Sequence, residues 1–443
     1  MKRVLILGAG RVARPCVAYL QKHDWIELTV ADTSGANLER ACGVHGRTRT
    51  LVRDCARDLA DLLRSERPDL VINLLPPELM APAARLCLEA RVHLVHPAYL
   101  DPGTAALARD VQRSGLVFLA ELGLDPGIDH MSAARTIAKI HSREETVQSF
   151  RSVCGALPSA AANTNPWGYK LSWSPESLVG ASQRDAKARL EGEVKEWLHG
   201  RTYEHVFLEH IDGLGWFEIY ANGDSLPYLD IYRIPEAETL FRGTVRYCGW
   251  CETIVAMNKL GLFERDRLDF AGMTLREFMA RKCGWGRPEN AEWAVCAVLG
   301  TMPWSAISQR LAWLGLFDDR PIPFAQGTSR DVIHFLFDEK LVFAPGEKDL
   351  VVLKDEIVAV DPATGAASRH RSILIDFGLD DGTSSVARTT GLPPAIAARY
   401  ILEGAIRTAG VVLPTLPEIY DRVLPELQRE GIRLQERVDP LPG

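Results

Sequence analysis

Residues 121–131 read ELGLDPGIDHM and follow directly on the apolar run SGLVFLA (114–120). Two aspartates and a histidine in one short turn are residue types that move protons near neutral pH. Gly123, Pro126 and Gly127 break any regular element, so the chain must turn here. A turn at the carboxyl end of a strand is where open α/β sheets place their ligands. Asp125, Asp129 and His130 fit acid–base chemistry, and they fit equally a solvated acidic turn in which Asp129 caps the helix-like stretch HMSAARTIAKIH (130–141). The turn alone leaves both readings open.

A second stretch carries phosphate chemistry. VLILGAGRVARPCVAYL places Gly8, Gly10 and Ala13 in a G-x-G-x-x-A pattern between a strand and a helix. Gly8 permits the tight turn, Gly10 admits a pyrophosphate close to the backbone, and Ala13 lets helix and strand pack closely. The helix then presents its free N–H groups to the anion. Asp32 ends a second strand at the interval at which an acidic residue meets the ribose of a dinucleotide. Arg11 and Val12 inside the pattern, with Leu75 and Pro76 after the run DLVINLL (69–75), complete the expected cofactor set. Asp32 accepts both ribose hydroxyls of NAD, whereas no arginine is adjacent in TVADTSG to meet a 2′-phosphate. NAD is therefore the expected cofactor and NADP the alternative, with Arg40 the cation that would rescue the phosphate.

The elements that must hold these groups are legible in the apolar pattern. Strand runs at 3–7, 26–32, 50–54, 69–75, 91–96 and 115–120 alternate with helical spacing at 12–22, 56–63, 77–90 and 104–113. Such alternation predicts a parallel, doubly wound Rossmann-type sheet. Beyond residue 140 the texture changes. Residues 207–234 are rich in aromatic and β-branched types, predicting an antiparallel sheet, and 249–317 is dominated by helix formers and tryptophans. Strands return at 349–361 and 371–379, and two helices at 395–408 and 416–430 close the sequence. The expected fold class is α/β: a Rossmann-type doubly wound sheet plus an α/β substrate and dimerisation domain with a small helical insertion. The expected boundaries are 1–128 for the dinucleotide domain, completed by about 391–443; 129–248 and 340–390 for the substrate domain; and 249–339 for the insertion.

Bulk properties narrow the partners. At 443 residues the chain exceeds one core, and at 47% hydrophobic with 25% charged residues it is ordinary globular protein. A net charge of −7 gives no reason to expect nucleic acid or an acidic membrane surface. No run approaches the ~18 apolar residues of a membrane span, and the run after Met1-Lys2-Arg3 is too short for a signal peptide. Nine cysteines at irregular spacing predict a reducing cytoplasm rather than a disulfide framework. Cys248 and Cys251 in YCGWCE suit buried packing better than redox or zinc chemistry, and His93 and His96 at i, i+3 on a strand point opposite ways, so no metal is expected.

Five motifs then converge: GAGRVA, LGLDPGIDHM, VCGALPSAAANTNPWGYKLSWSP (153–175), YRIPEAETLFRGTVRYCGWCETI (232–254) and GLPPAIAARYILEGAI (391–406). Over essentially its whole length the chain resembles the saccharopine dehydrogenase family, in its glutamate-forming branch, also called saccharopine reductase. The resemblance implies a nicotinamide-dependent enzyme of lysine metabolism that oxidises the secondary amine of saccharopine to an imine, which water resolves to glutamate and 2-aminoadipate semialdehyde, or the reverse. It also implies a homodimer. Asp125 becomes a candidate acid/base or ammonium partner, and Tyr99 in HPAYLD and Cys154 in VCGALP fall where the family places polar groups around substrate. Lys170, Ser172, Trp173, Thr244 and Arg246 are the candidate pocket lining, the cations suiting substrate carboxylates. One departure stands out. The family pattern NRDS reads NGDS here, with Gly223 in the arginine's place, so a carboxylate clamp must come from elsewhere, Arg246 or Arg233. Two other functions remain as alternatives: a carboxynorspermidine-type dehydrogenase of polyamine synthesis, which needs acidic groups at one end of its pocket, and a non-catalytic nucleotide-binding relative.

Overall fold

The structure is a computed structural model that describes residues 1–43, 47–173, 175–198, 200–285 and 287–442. Ser174, within the 153–175 motif, lies outside the described residues. Strands and helices alternate as β1 (Lys2–Leu7), α1 (Ala13–Gln21), β2 (Ile26–Asp32), α2 (Gly35–Cys42), β3 (Thr48–Val52), α3 (Cys55–Glu66), β4 (Leu70–Asn73), α4 (Met80–Ala90), β5 (His93–Val95), α5 (Pro102–Ala105), α6 (Ala108–Arg113) and β6 (Val117–Leu119). Next come α7 (Ile128–His141), β7 (Thr146–Pro158), α8 (Pro175–Ala181), β8 (Ala186–Leu190), β9 (Glu193–Trp197), β10 (Phe207–Ile211), β11 (Gly215–Ala221), α9 (Tyr228–Ile231) and β12 (Thr239–Tyr247). A helical run follows: α10 (Trp250–Lys259), the short β13 (Arg267–Asp269), α11 (Leu275–Lys282), α12 (Ala291–Leu299), α13 (Ala306–Leu314), β14 (Gln326–Thr328) and α14 (Ser329–Lys340). The last elements are β15 (Asp349–Val360), β16 (Ala367–Phe377), α15 (Ser385–Leu402), β17 (Gly410–Val412), α16 (Pro417–Arg429) and β18 (Leu434–Leu441).

Two compact units result, one of Met1–Ser152, Tyr228–Ala237 and Leu353–Gly443, the other of Val153–Pro227 and Glu238–Val352. The first holds a parallel sheet in the order β17-β6-β5-β4-β1-β2-β3. Its central strands are buried on both faces, as a doubly wound sheet requires. Leu5, Leu7, Val71, Leu94 and Phe118 pack on one face against Leu59, Leu62 and Leu63 of α3 and Ala83, Ala84 and Cys87 of α4. Local chemistry sets the helix starts: Asp54 accepts from Ala56 and Arg57 N–H at the head of α3, and Ser34 from Asn37 N–H at the head of α2. The same unit pairs β16 antiparallel with β18. In the second unit β10, β11 and β12 form an antiparallel meander, β8 pairs with β12 and β9, and the helical run α10–α14 belongs to this unit.

Several sequence expectations need correction. Residues 227–234 do not continue the antiparallel sheet: Tyr228–Ile231 is a helical turn, since Tyr228 and Tyr232 at i, i+4 both face inward. The stretch expected as one helix at 104–113 is broken into α5 and α6. The helix expected at 395–408 is α15, which starts ten residues earlier at Ser385 and ends at Leu402. The tandem Pro393–Pro394 suggests a helix start, because proline suits the first turn. Instead Ser384 caps the true start by accepting from Ala387 N–H, and the prolines sit inside the helix.

Candidate active site

The first βα turn is built for close approach. Gly8 has φ of 92°, and a Cβ there would lie 3.2 Å from the Leu74 carbonyl oxygen and 3.3 Å from Leu75. At Gly10 an added Cβ would meet nothing within 4 Å, so the backbone there faces open space. No side chain caps the N-terminus of α1, which leaves its first N–H groups for an anion. Ala13 is fully buried, and Val12 is approached so closely by α15 that a Cβ on Gly391 would sit 2.2 Å from the Val12 oxygen. Arg11 is exposed at the turn's edge. Across the switch point between β1 and β4, the Leu75 N–H donates to Asn73 Oδ1 at 3.1 Å, shaping the Leu75–Pro76 loop. Asn73 is fully buried and was not among the sequence candidates; its place as the last residue of a buried strand is the only signal it offers. These residues fit the pyrophosphate of a dinucleotide.

Asp32 stands at the end of β2. Its carboxylate already accepts from Ala9 N–H at 2.7 Å, Ser34 N–H at 2.8 Å and Asn37 Nδ2 at 3.3 Å. A carboxylate has roughly four acceptor sites, so about one remains for a ribose hydroxyl. Arg40 turns to Asn37 Oδ1 at 2.9 Å and is exposed.

The turn after β6 brings two candidates together. Tyr99 Oη donates to Asp125 Oδ1 at 2.9 Å, across 26 positions of sequence. The turn is closed by the Gly123 N–H to Pro126 O bond of 2.8 Å, and a Cβ on Gly127 would fall 2.2 Å from Gly123 N. Tyr99 is 40% exposed and Asp125 half-buried, so the pair can reach a ligand. A phenol donating to a carboxylate is an acid–base unit: the carboxylate takes a proton while the phenol steadies its charge.

Asp129 and His130 are buried, which removes them from a solvated turn. Asp129 Oδ1 accepts from Gly127 N–H at 2.5 Å. His130 Nδ1 lies 2.6 Å from Tyr232 Oη, and Nε2 lies 2.9 Å from Glu121 Oε2, though off the line of a straight N–H bond. The Tyr228 ring stacks on the imidazole at 5.2 Å. A second buried carboxyl, Asp355, faces this group; burial pushes it up to about 7, opposed by the nearby Ser132 and Ser152 hydroxyls and raised further by Asp129. None of Glu121, Tyr232 or Asp355 was a sequence candidate. The Tyr228/Tyr232 spacing was a visible helix-face signal, whereas Asp355 comes from a strand more than two hundred positions away. His93 accepts from Val117 N–H at 3.0 Å, and burial lowers the proton affinity of His93 and, to about 4, that of His96.

The second unit holds the other candidates. Arg246 is buried on β12, with its guanidinium 5.1 Å from the Tyr169 ring centre and 5.9 Å from that of Tyr220. Nη1 donates to the Val245 carbonyl at 2.8 Å, Nε has no partner, and no carboxylate pairs with it among the described residues. Trp173 joins this cage by donating to Tyr169 Oη at 2.6 Å, and Thr244 pairs opposite Tyr220 in the β11–β12 register. Ser172 is buried with its hydroxyl unpartnered among the described residues. Cys154 is buried on β7. Lys170 departs from the cage: its ammonium bonds Glu347 and Thr164, and although burial pushes the Glu347 carboxyl up, its bonds from Lys170, the Ala344 N–H and Thr164 hold it below its usual range. Gly223 has φ of 66° and open space about it, and Arg233 is exposed whereas Arg246 is buried. Cys251 is buried at the head of α10, and burial raises its thiol and, with Glu218, that of the exposed Cys248.

Comparison with known proteins places this geometry. Residues 4–119 match the family model of the saccharopine dehydrogenase NADP binding domain, and residues 123–432 that of the saccharopine dehydrogenase C-terminal domain. The chain is 32% identical over 446 residues to saccharopine dehydrogenase [NADP(+), L-glutamate-forming] of Saccharomyces cerevisiae, covering 98% of this chain and 99% of that protein. It is 33% identical over 444 residues to bovine mitochondrial alpha-aminoadipic semialdehyde synthase, covering 97% of this chain but only 47% of that protein, so it spans about half of that relative's length. The solved apo structure of the L-Glu-forming saccharopine dehydrogenase from Saccharomyces cerevisiae superposes with a TM-score of 0.89 at 31% identity, covering 99% of this chain and 100% of that one. A Legionella pneumophila homospermidine synthase shares the fold alone, at a TM-score of 0.57 and 10% identity over 99% of this chain and 91% of that one. The chain belongs to the saccharopine dehydrogenase family.

Proposed function

We propose that the protein is a nicotinamide-dependent saccharopine dehydrogenase of the L-glutamate-forming type. Saccharopine, an oxidised nicotinamide dinucleotide and water give glutamate, 2-aminoadipate semialdehyde, the reduced dinucleotide and a proton. The observation that carries the reading is the Tyr99–Asp125 hydrogen bond at the carboxyl end of the parallel sheet, in a chain of this family. The cofactor, when bound, accepts hydride from the carbon next to the substrate nitrogen. Gly8, Gly10, Val12 and the head of α1 hold its pyrophosphate. Asp125 takes the amine proton, and Tyr99 steadies the carboxylate that does so. After hydride leaves, the same pair passes a proton between attacking water and departing amine, the usual work of an acid–base group. Arg246 binds a substrate carboxylate through its free guanidinium edge, and Trp173, Ser172 and Thr244 shape the surroundings. Cys154 contributes a polar contact. Lys170 acts through the Glu347 pair rather than as a bare cation.

A buried cation, Arg246, with no carboxylate partner among the described residues favours an acidic substrate over the diamine-derived carboxynorspermidine. For the ribose, Asp32 supports NAD, because a 2′-phosphate at ~4 Å would meet up to about 4 kcal/mol of repulsion at an effective dielectric near 20. The names of the yeast relatives and of the matched domain support NADP. With three of its acceptor sites filled, Asp32 is read as giving NAD a modest advantage. No helix is long and apolar enough to cross a membrane among the described residues. A cytoplasmic homodimer, with 129–248 and 340–390 as its substrate and dimerisation region, is part of the proposal; sedimentation velocity tests the dimer. Asp125→Asn tests the acid–base role. It should lower turnover roughly 10²-fold or more with cofactor affinity unchanged, and Tyr99→Phe should lower it less. Wild-type turnover in Asp125→Asn would remove Asp125 from the chemistry.

A further inference from the structure

Tyr99 and Asp125 sit on different loops, and a hydrogen bond between two surface loops must be held by something stiffer than itself. Glu121 touches both. Its N–H donates to the Ala98 carbonyl at 3.0 Å, and its Oε1 accepts from the Leu100 N–H at 2.9 Å. The two bonds bracket Tyr99 on either side. The adjacent Leu122 N–H donates to the His96 carbonyl at 3.1 Å, extending the clamp along the Tyr99 loop. The other carboxylate oxygen of Glu121 lies 2.9 Å from His130 Nε2, at the far end of the turn that carries Asp125.

Three features mark this as a built device. Glu121 is 5% exposed and His130 fully buried, so each is surrounded by protein. Glu121 has φ of 55°, a left-handed conformation that favours glycine or asparagine and persists in a glutamate only where the surroundings hold it. His130 is fixed on its other side by Tyr232 Oη at 2.6 Å from Nδ1 and by the stacked Tyr228 ring. The imidazole thus lies between two polar groups, Nε2 against Glu121 Oε2 and Nδ1 against Tyr232 Oη. The remaining charged groups facing the imidazole are Asp129, 3.7 Å from Nδ1, and Asp355.

We propose that Glu121 is the positioning residue of the Tyr99–Asp125 pair, with His130 as its anchor. The inference rests on the reading of Tyr99 and Asp125 as the acid–base pair. Glu121 touches no reacting atom; it sets where the phenol stands relative to the carboxylate. Displacement of a catalytic group by about 1 Å can cost roughly 10²-fold in rate, so loss of the bracket should be visible in turnover.

The test uses full-length protein labelled with fluorotyrosine, with the Tyr99 signal assigned by its loss in Tyr99→Phe. Glu121→Gly removes the carboxylate while suiting the left-handed backbone. Glu121→Gln keeps an oxygen to accept from Leu100 N–H and a side chain of the same size against the imidazole. The proposal expects the Tyr99 resonance to move in Glu121→Gly and to stay near its wild-type position in Glu121→Gln. His130→Gln should move it in the same direction as Glu121→Gly, which keeps the test alive if the glycine variant does not fold. In turnover, Glu121→Gly should lower kcat by roughly 10-fold to 10²-fold, and adding Tyr99→Phe should cost little more, because both changes break one unit. An unmoved Tyr99 resonance in both Glu121→Gly and His130→Gln, or losses that multiply in the double variant, would overturn it. The resonance needs no substrate. A wild-type protein inert toward saccharopine therefore fails the functional reading, while the Tyr99 signal still decides the positioning role.

Discussion

Replacing Arg246 with methionine should separate binding from stability. The guanidinium is buried among Tyr169, Tyr220 and Tyr203, and its unpaired state among the described residues makes it a charge held ready for a ligand. Truncating one partner of a buried, hydrogen-bonded charge pair costs about 2–5 kcal/mol, so KM for the acidic substrate should rise roughly 30-fold or more. Without substrate the terms nearly cancel. Exchanging buried charge for a well-packed apolar side chain is often neutral or stabilising by about 1–4 kcal/mol. Against that gain stand one hydrogen bond to Val245, worth about 1 kcal/mol, and the ring contacts, worth about 1–2 kcal/mol. Arg246→Met should therefore melt close to wild type, within about 2 kcal/mol either way, while binding substrate far more weakly. Arg246→Lys should fall between, because an ammonium keeps the charge and loses the planar fork. The assay is steady-state KM and kcat alongside a thermal melt of the apoprotein, with cofactor affinity measured by titration and expected unchanged. A methionine variant with wild-type KM and a clearly lower Tm would show that Arg246 serves the fold and not the ligand.

Three further outcomes follow from other parts of the molecule. Asp32→Ala should reduce the ratio of kcat/KM for NAD over NADP from its wild-type value by roughly tenfold; a wild type that prefers NADP with Asp32 intact would sink the NAD reading. Asp355 has its pKa raised to about 7 by burial, against ~3.9 unfolded, so the native state binds the extra proton between those values and stability falls as pH rises through that window, by up to about 4 kcal/mol above pH ~7. Asp355→Asn should remove that slope, melting several degrees above wild type at pH 8 and close to it below pH 4; parallel Tm profiles for the two proteins would contradict this. Gly391→Ala puts a methyl 2.2 Å from the Val12 carbonyl oxygen and should weaken cofactor binding by shifting the head of α1, an effect absent if titration gives the wild-type Kd.

Much of the parallel sheet is legible because strands such as β1, β4 and β6 are short apolar runs and helices such as α3 have a periodic apolar face. The glycine turn is legible for the same local reason, and so are Tyr99 and Asp125, each just beyond a strand. What lies between them is not. Glu121 adopts a left-handed backbone that nothing in its residue type announces, and its anchor depends on Tyr232, brought from a segment a hundred positions away. β18 escapes notice because LQERVDPL is mostly exposed and lacks an apolar rhythm; it is a strand because β16 offers it an edge. The start of α15 is hidden by Pro393 and Pro394, which mimic a helix head while sitting inside one. Local pattern finds elements, whereas the groups that meet from distant segments come from topology.

The central claim is most directly tested by incubating the purified protein with saccharopine and, separately, with carboxynorspermidine, each with NAD and with NADP, following reduced cofactor and identifying products by mass spectrometry. Saccharopine-dependent reduction with glutamate released in equal amount to reduced cofactor is the predicted result. Turnover of carboxynorspermidine without turnover of saccharopine, or reduction without glutamate, would contradict it.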